Sequence, residues 1–143
     1  MSTLSAAISA SASALSAERT RIEAAVSNLA NAESTQSLNG QPYRRRDVIL
    51  TAEPVESFGA ALGRSTATGV KVARVVEDQS ELRRRYEPGH PNADADGFVS
   101  LPNVDASNEM VDMIGAARAY QANLAAIGII RDLIAKALDL GRS

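Results

Sequence analysis

Residues 105–140 read DASNEMVDMIGAARAYQANLAAIGIIRDLIAKALDL, and this stretch decides the fold. Apolar and small side chains recur along it in alternating steps of three and four, the spacing of a coiled-coil seam. The seam positions are Met110, Met113, Ala117, Tyr120, Leu124, Ile127, Ile134 and Leu138. Asp105 or Ser107 supplies the N-cap. Such a helix extends about 50 Å, too far for a chain of 143 residues to cover by itself, so the pattern predicts packing against partners.

The N-terminal segment, residues 1–32, repeats the pattern in a weaker form. Its strict heptad positions are Ile8, Leu15, Ile22 and Leu29. The second seam position holds Leu4, Ser11, Glu18 and Ala25, and the two polar residues weaken it. We therefore predict a second long helix that pairs with the C-terminal helix as a coiled coil. An ordinary helix of a small bundle fits the same periodicity equally well.

The middle segment, residues 33–104, lacks helical periodicity and predicts a small β-rich region. Asn39-Gly40 is a strong turn signal. Alternating and β-branched residues predict strands over 43–51, 70–76 (with 82–86 as an extension) and 98–101, with a loop over 53–69. The predicted fold class is mainly α with a small β region. Two long terminal helices, 1–32 and 105–143, form a coiled coil, and 33–104 is a short β-hairpin-like middle segment.

Composition narrows the class of protein. The chain has 45% hydrophobic residues but only 3% aromatic ones, and much of the apolar fraction is Ala, which buries little area. Long helices that meet along narrow seams fit this better than one large core. The net charge of −2 disfavours nucleic-acid binding. The first fifteen residues lack a basic n-region and a continuous apolar core, so we expect no classical signal peptide. The longest apolar runs fall short of a membrane span, and we expect no direct lipid binding.

Two motifs invite a chemical interpretation. Residues 92–97 match the first half of an EF-hand calcium loop, but Asn103 stands where the bidentate Glu should be. A polar turn is the favoured reading there. His90 is the only histidine, and the chain has no Cys, so metal and nucleophilic sites are disfavoured. We predict no metal, no cofactor and no catalysis. The runs Arg44–Arg46 and Arg83–Arg85 are predicted to be solvated or subunit-contacting surface, in preference to a phosphate site.

Four segments resemble the flagellar axial proteins, and among them the basal-body rod proteins of the proximal rod. They are SNLANAEST (27–35), YEPGHPNADADGFVSLPNVD (86–105), NEMVDMI (108–114) and ARAYQANLAAI (117–127). The first segment, with Asn28, Leu29, Ala30 and Asn31, is shared by rod and hook proteins generally. The later series is more specific to the proximal rod. The resemblance covers nearly the whole chain and is weakest over 53–69.

The resemblance implies a structural subunit of the proximal rod, whose terminal helices assemble with other rod proteins and copies of itself into a hollow drive shaft for motor torque. It also implies synthesis in the cytoplasm and passage through the flagellar type III export apparatus. The expected assembly interface comprises the seam residues of the C-terminal helix with Asn123. On the N-terminal helix it comprises Leu4, Ile8, Leu15, Ile22, Asn28, Leu29 and Asn31. The alternative from another class is a soluble helical adaptor or export-chaperone-like module that binds a partner helix.

Overall fold

Both predicted helices form, and a side-chain cap marks the start of the second. The computed structural model describes residues 2–36, 40–54 and 68–141. Helix α1 spans Ser2–Asn31 and helix α2 spans Ala106–Leu140. Asp105 is the N-cap of α2, because its carboxylate accepts hydrogen bonds from the backbone N–H groups of Ser107 (2.8 Å) and Asn108 (3.2 Å). Among the described residues, no helix is long and apolar enough to cross a membrane.

The β region consists of two small sheets, where the sequence suggested one hairpin-like segment. Strands β1 (Arg46–Pro54) and β2 (Thr68–Glu77) pair in one sheet, and β3 (Arg83–Tyr86) and β4 (Phe98–Leu101) pair in the other. The expectation that 82–86 extends the preceding strand was wrong, because β3 pairs antiparallel with β4, with Arg83 opposite Leu101 and Tyr86 opposite Phe98. Asn39 of the predicted turn and most of the predicted loop 53–69 lie outside the described residues.

The chain folds into two compact units, and each long helix contributes to both. Unit A comprises Met1–Thr20, Ile49–Arg74 and Gly115–Ser143, and unit B comprises Arg21–Val48 and Val75–Ile114. The buried apolar residues described in unit A are Ala6, Ala17 and Ala116. Unit B has a larger core, with Ala25, Ala32, Tyr43, Val99, Leu101 and Val104 buried. Unit B therefore buries the larger apolar side chains.

The turn between β3 and β4 requires a glycine at position 97. Gly97 has a φ of +80°, and a Cβ built on it would lie 2.9 Å from the Tyr86 ring and 3.1 Å from Pro88 Cβ. We expect Gly97→Ala to lower the free energy of unfolding by about 1–3 kcal/mol, because a side chain is strained in this backbone region. Urea unfolding checks this. Gly89→Ala is the matched control, since Gly89 has open space around it, and an equal loss in both variants would contradict the prediction.

Candidate functional site

Asn28, on the last turn of α1, is a buried and fully bonded side chain of unit B. It is 1% exposed. Its Nδ2 donates to Glu109 Oε2 (2.9 Å) and to the carbonyl oxygen of Arg46 (3.0 Å). Its Oδ1 accepts hydrogen bonds from the Tyr43 hydroxyl and the Arg46 backbone N–H, both at 2.9 Å. Both donor hydrogens and both acceptor positions of the amide are thereby used, so Asn28 ties α1 to the start of β1 and to α2.

The partner of Asn28 on α2 is a buried carboxylate. Glu109, in the first turn of α2, is 2% exposed, and its second oxygen forms an ion pair with Nε of Arg45. Arg45 also bonds Asp47 and contacts Asp112, the latter at 3.4 Å. Because a buried charge is costly unless it is paired, this pairing explains how Glu109 is accommodated. We call Asn28, Tyr43, Arg45 and Glu109 the polar hub.

The electrostatics of Arg45 follow from this pairing. Partial burial on its own would lower the pKa of Arg45. The hydrogen bond and the charge of Glu109, helped by Asp47, outweigh burial and raise the pKa above its ordinary value. The backbone N–H of Arg45 also donates to Asn103 Oδ1 (2.9 Å). The hub therefore connects α1, the start of β1 and the segment that leads into α2.

Both arginine runs bond within the chain. In the first run, Arg45 belongs to the polar hub, and Arg44 donates to the carbonyl oxygens of Asp78 and Ser80, each at 3.1 Å. The guanidinium of Arg46 lies 5.5 Å from the centre of the Tyr43 ring. These side chains hold the start of β1 in place. The partly exposed ones remain accessible to a neighbouring subunit, as the sequence suggested, but their donors also serve the fold.

The second run supports the end of α1 and the turn after β3. Arg83 donates to the carbonyl oxygen of Ala32 (2.7 Å), just beyond the helix, where a cation is favourable. Arg85 pairs with Glu33 at 2.9 Å. Arg84 pairs with Asp94, and its guanidinium lies 4.6 Å from the centre of the Phe98 ring. This run therefore fastens the second small sheet to the end of α1.

The EF-hand-like stretch is a closed turn. Asp94 Oδ1 accepts hydrogen bonds from the backbone N–H groups of Asp96 (3.0 Å) and Phe98 (2.8 Å). His90 Nδ1 accepts one from the Asn92 N–H (3.1 Å). Across the part of the chain that the structure describes, no group of three or more His, Cys, Asp or Glu side chains could hold a metal ion. The carboxylate that a calcium ion would need serves the backbone instead.

The bonds to Asp94 predict a pH effect on stability. The Phe98 N–H, with help from Arg84, lowers the pKa of Asp94 below its ordinary value. The contribution of Asp94 to stability is therefore present above the ordinary carboxyl pKa and is lost as pH falls through the lowered folded pKa. In urea unfolding from neutral pH to below about pH 4, Asp94→Asn should lose less stability on acidification than the unmodified chain. Asp96→Asn is the neighbouring control, and identical acid profiles for both variants would refute the role of Asp94.

The expected interface residues of α1 lie at two levels of burial. Leu4, Ile8, Leu15, Ile22, Leu29 and Asn31 are half-buried, and Asn28 is fully buried. The amide of Asn31 donates to the Ser27 carbonyl oxygen of its own helix (2.8 Å). Asn28 thus has its bonds inside the chain, whereas the heptad residues keep part of their surface open. Their role in assembly stays a prediction.

The expected residues of α2 divide in the same way. Met113, Ala117, Tyr120, Asn123, Ile127 and Ile134 are half-buried, whereas Met110 (47%), Leu124 (55%) and Leu138 (53%) are exposed. Further large apolar residues are exposed beside them, namely Val111, Ile114, Ile129, Leu133 and Leu140. Sequence reasoning missed Glu109 and Ala116, which are buried. The signal for both was the same heptad spacing, since they lie four residues before and three after Met113.

Comparison with known proteins gives a consistent family. The family described as flagellar basal body rod FlgEFG protein C-terminal matches residues 95–140. The chain is 45% identical to the flagellar basal-body rod protein FlgC of Salmonella typhimurium over 130 residues, covering 91% of this chain and 92% of that protein. It is 39% identical to FlgC of Bacillus subtilis over 145 residues (94% and 96%). It is 34% identical to FlgC of Borreliella burgdorferi over 143 residues (93% and 94%).

Proposed function

Because the chain belongs to the FlgC family of flagellar basal-body rod proteins, and is thereby a structural component of the rod, we propose that its terminal helices build the rod wall. In this proposal, α1 and α2 pair as a coiled coil and pack against copies of the chain and other rod proteins. The assembled tube is the hollow shaft that carries motor torque. The relatives are named as flagellar basal-body rod proteins, and the proposal assigns no catalysis.

The exposed apolar surface of α2 is the observation that carries this proposal. Leu124, Ile129 and Leu133 are 55%, 62% and 51% exposed. Leu124 and Leu133 are nine residues apart and lie on opposite sides of the helix, so apolar surface is exposed on more than one side of α2. Exposed apolar surface marks a protein interaction site. Because each side chain is already about half-buried, complete burial would stabilise by roughly half of the 1.5–3 kcal/mol expected for a fully exposed one. Packing of subunits along α2 would supply that burial.

The proposal extends to the route and place of assembly. The basal-body rod is the location that the family implies. We propose that the chain is made in the cytoplasm and reaches the rod through the flagellar type III export apparatus, and that it binds no lipid, nucleic acid or cofactor. The α-helical surface that is buried in the rod would face solvent before assembly.

Deletion of the gene tests the proposal. We expect non-motile cells whose basal bodies lack a complete rod, and we expect the unmodified gene supplied in trans to restore both rod and swimming. Electron microscopy of purified basal bodies gives the readout. Complete rods without this chain would overturn the proposal and favour the soluble adaptor or export-chaperone-like role.

A further inference from the structure

We infer that the Asn28–Glu109 hydrogen bond sets the rotational phase of α2, meaning which of its faces is turned toward the rest of the chain. The other fully buried residues of the described helices are alanines, three on α1 and one on α2: Ala6, Ala17, Ala25 and Ala116. Alanines at neighbouring positions offer packing surfaces of nearly the same size and shape. They discriminate poorly between alternative phases of a helix.

The Asn28–Glu109 pair, in contrast, strongly favours one rotational phase of α2 over the others. A shift of α2 by one residue turns it by about 100° and would replace Glu109 with Asn108 or Met110 at the hub. Nδ2 of Asn28 would then lose its buried acceptor, and Arg45 would lose its pairing with Glu109. A buried polar group left without a partner costs its full desolvation penalty, and a buried charge costs more. A single polar residue in an otherwise apolar helix seam is a known means of specifying alignment.

The phase matters because α2 is apolar on more than one side. With Glu109 at the hub, Ala116 is 1% exposed while Leu124 and Leu133 remain more than half exposed. The consequence for assembly rests on the proposed rod function: the hub determines which apolar face a neighbouring subunit meets. Asn28 and Glu109 are therefore positioning residues for the interface, although both are themselves buried.

Cysteine labelling of the isolated full-length chain tests the inference separately from rod function. The chain has no Cys, so Ala116→Cys and Ala125→Cys each introduce a single thiol. Both replace an alanine, so the two variants are matched. They are nine residues apart, which places them on opposite faces of α2, with Ala116 buried and Ala125 exposed. We expect a maleimide to label position 116 at least about tenfold more slowly than position 125. Equal rates would overturn the inference.

Three hub variants complete the test. In Asn28→Leu with Glu109→Leu, the tenfold contrast should collapse while helix content, measured by circular dichroism, is retained. Asn28→Asp alone should also lose the contrast. Asn28→Asp with Glu109→Gln exchanges amide and carboxylate, keeps the charge balance and re-forms the bond between positions 28 and 109 in the opposite sense. The donor to the Arg46 carbonyl oxygen stays lost, so the contrast should recover in large part relative to Asn28→Asp alone. Full contrast in the leucine pair, or failure of the exchange to restore it, would overturn the inference. If the variant with both leucines loses its helices, recovery of the labelling contrast in the exchange variant is the test of the inference.

Discussion

Replacing Asn28 by Asp should lower the free energy of unfolding by about 3–5 kcal/mol, the loss typical of breaking a buried polar or charged pair. The new carboxylate cannot donate to Glu109 Oε2 or to the Arg46 carbonyl oxygen, which the amide reaches at 2.9 and 3.0 Å. It also places a second negative charge beside a carboxylate that is only 2% exposed. Such a loss is a large part of the 5–15 kcal/mol by which domains are stable.

The measurement is urea unfolding followed by circular dichroism at neutral pH. Asn108→Asp is the matched control, because it makes the same chemical change on an exposed residue in the first turn of α2, where a negative charge is favourable. If Asn28→Asp is as stable as the control, the hydrogen bonds of the polar hub do not stabilise the fold as proposed.

Replacing Leu124 by Asp should abolish motility while leaving the isolated chain folded. Leu124 is 55% exposed, so the substitution costs little within the chain. In an assembled rod the new carboxylate would enter an apolar contact without a partner. This should cost roughly 3 kcal/mol or more per contact, a factor of more than about 100 in association. Motility is measured as swimming in soft agar, and circular dichroism of the purified variant establishes that it folds.

Gln121→Asp is the control for Leu124→Asp. It adds the same charge to α2 one turn earlier, at an exposed position that is already polar. We expect this variant to swim and to fold normally. Normal swimming in Leu124→Asp would contradict the proposal that the face of α2 with Leu124 is buried on assembly.

The sequence predicted the helices well because their signal is periodic and local. The alternation of Met113, Ala117, Tyr120 and Ile127 requires only that α2 be a helix with one side less exposed. The Asp105 cap is likewise set by neighbours within three residues. The number of sheets was harder, because Arg83 to Tyr86 is a short strand whose partner lies fifteen or so residues along the chain, beyond a turn closed by Asp94.

The polar hub was the least predictable feature. Asn28 was singled out by resemblance alone, and its partner Glu109 lies 81 residues away. A Glu in the first turn of a helix is ordinarily explained by the helix dipole, so its place in the heptad spacing, four residues before Met113, was overlooked. Arg45 stood in a basic run, whose composition suggested an exposed surface. Only tertiary structure brings the three side chains together, which is why the site's core was missed while its helical frame was predicted.

Quantitative mass spectrometry of hook–basal bodies, purified from the source bacterium and stripped of membrane, is the strongest test of whether this chain is a structural subunit of the flagellar rod. We expect the chain to be recovered in a constant ratio to the other rod proteins from one preparation to the next. If it is absent from those particles and found in the cytoplasmic fraction, it is not a rod subunit, and an adaptor role is favoured.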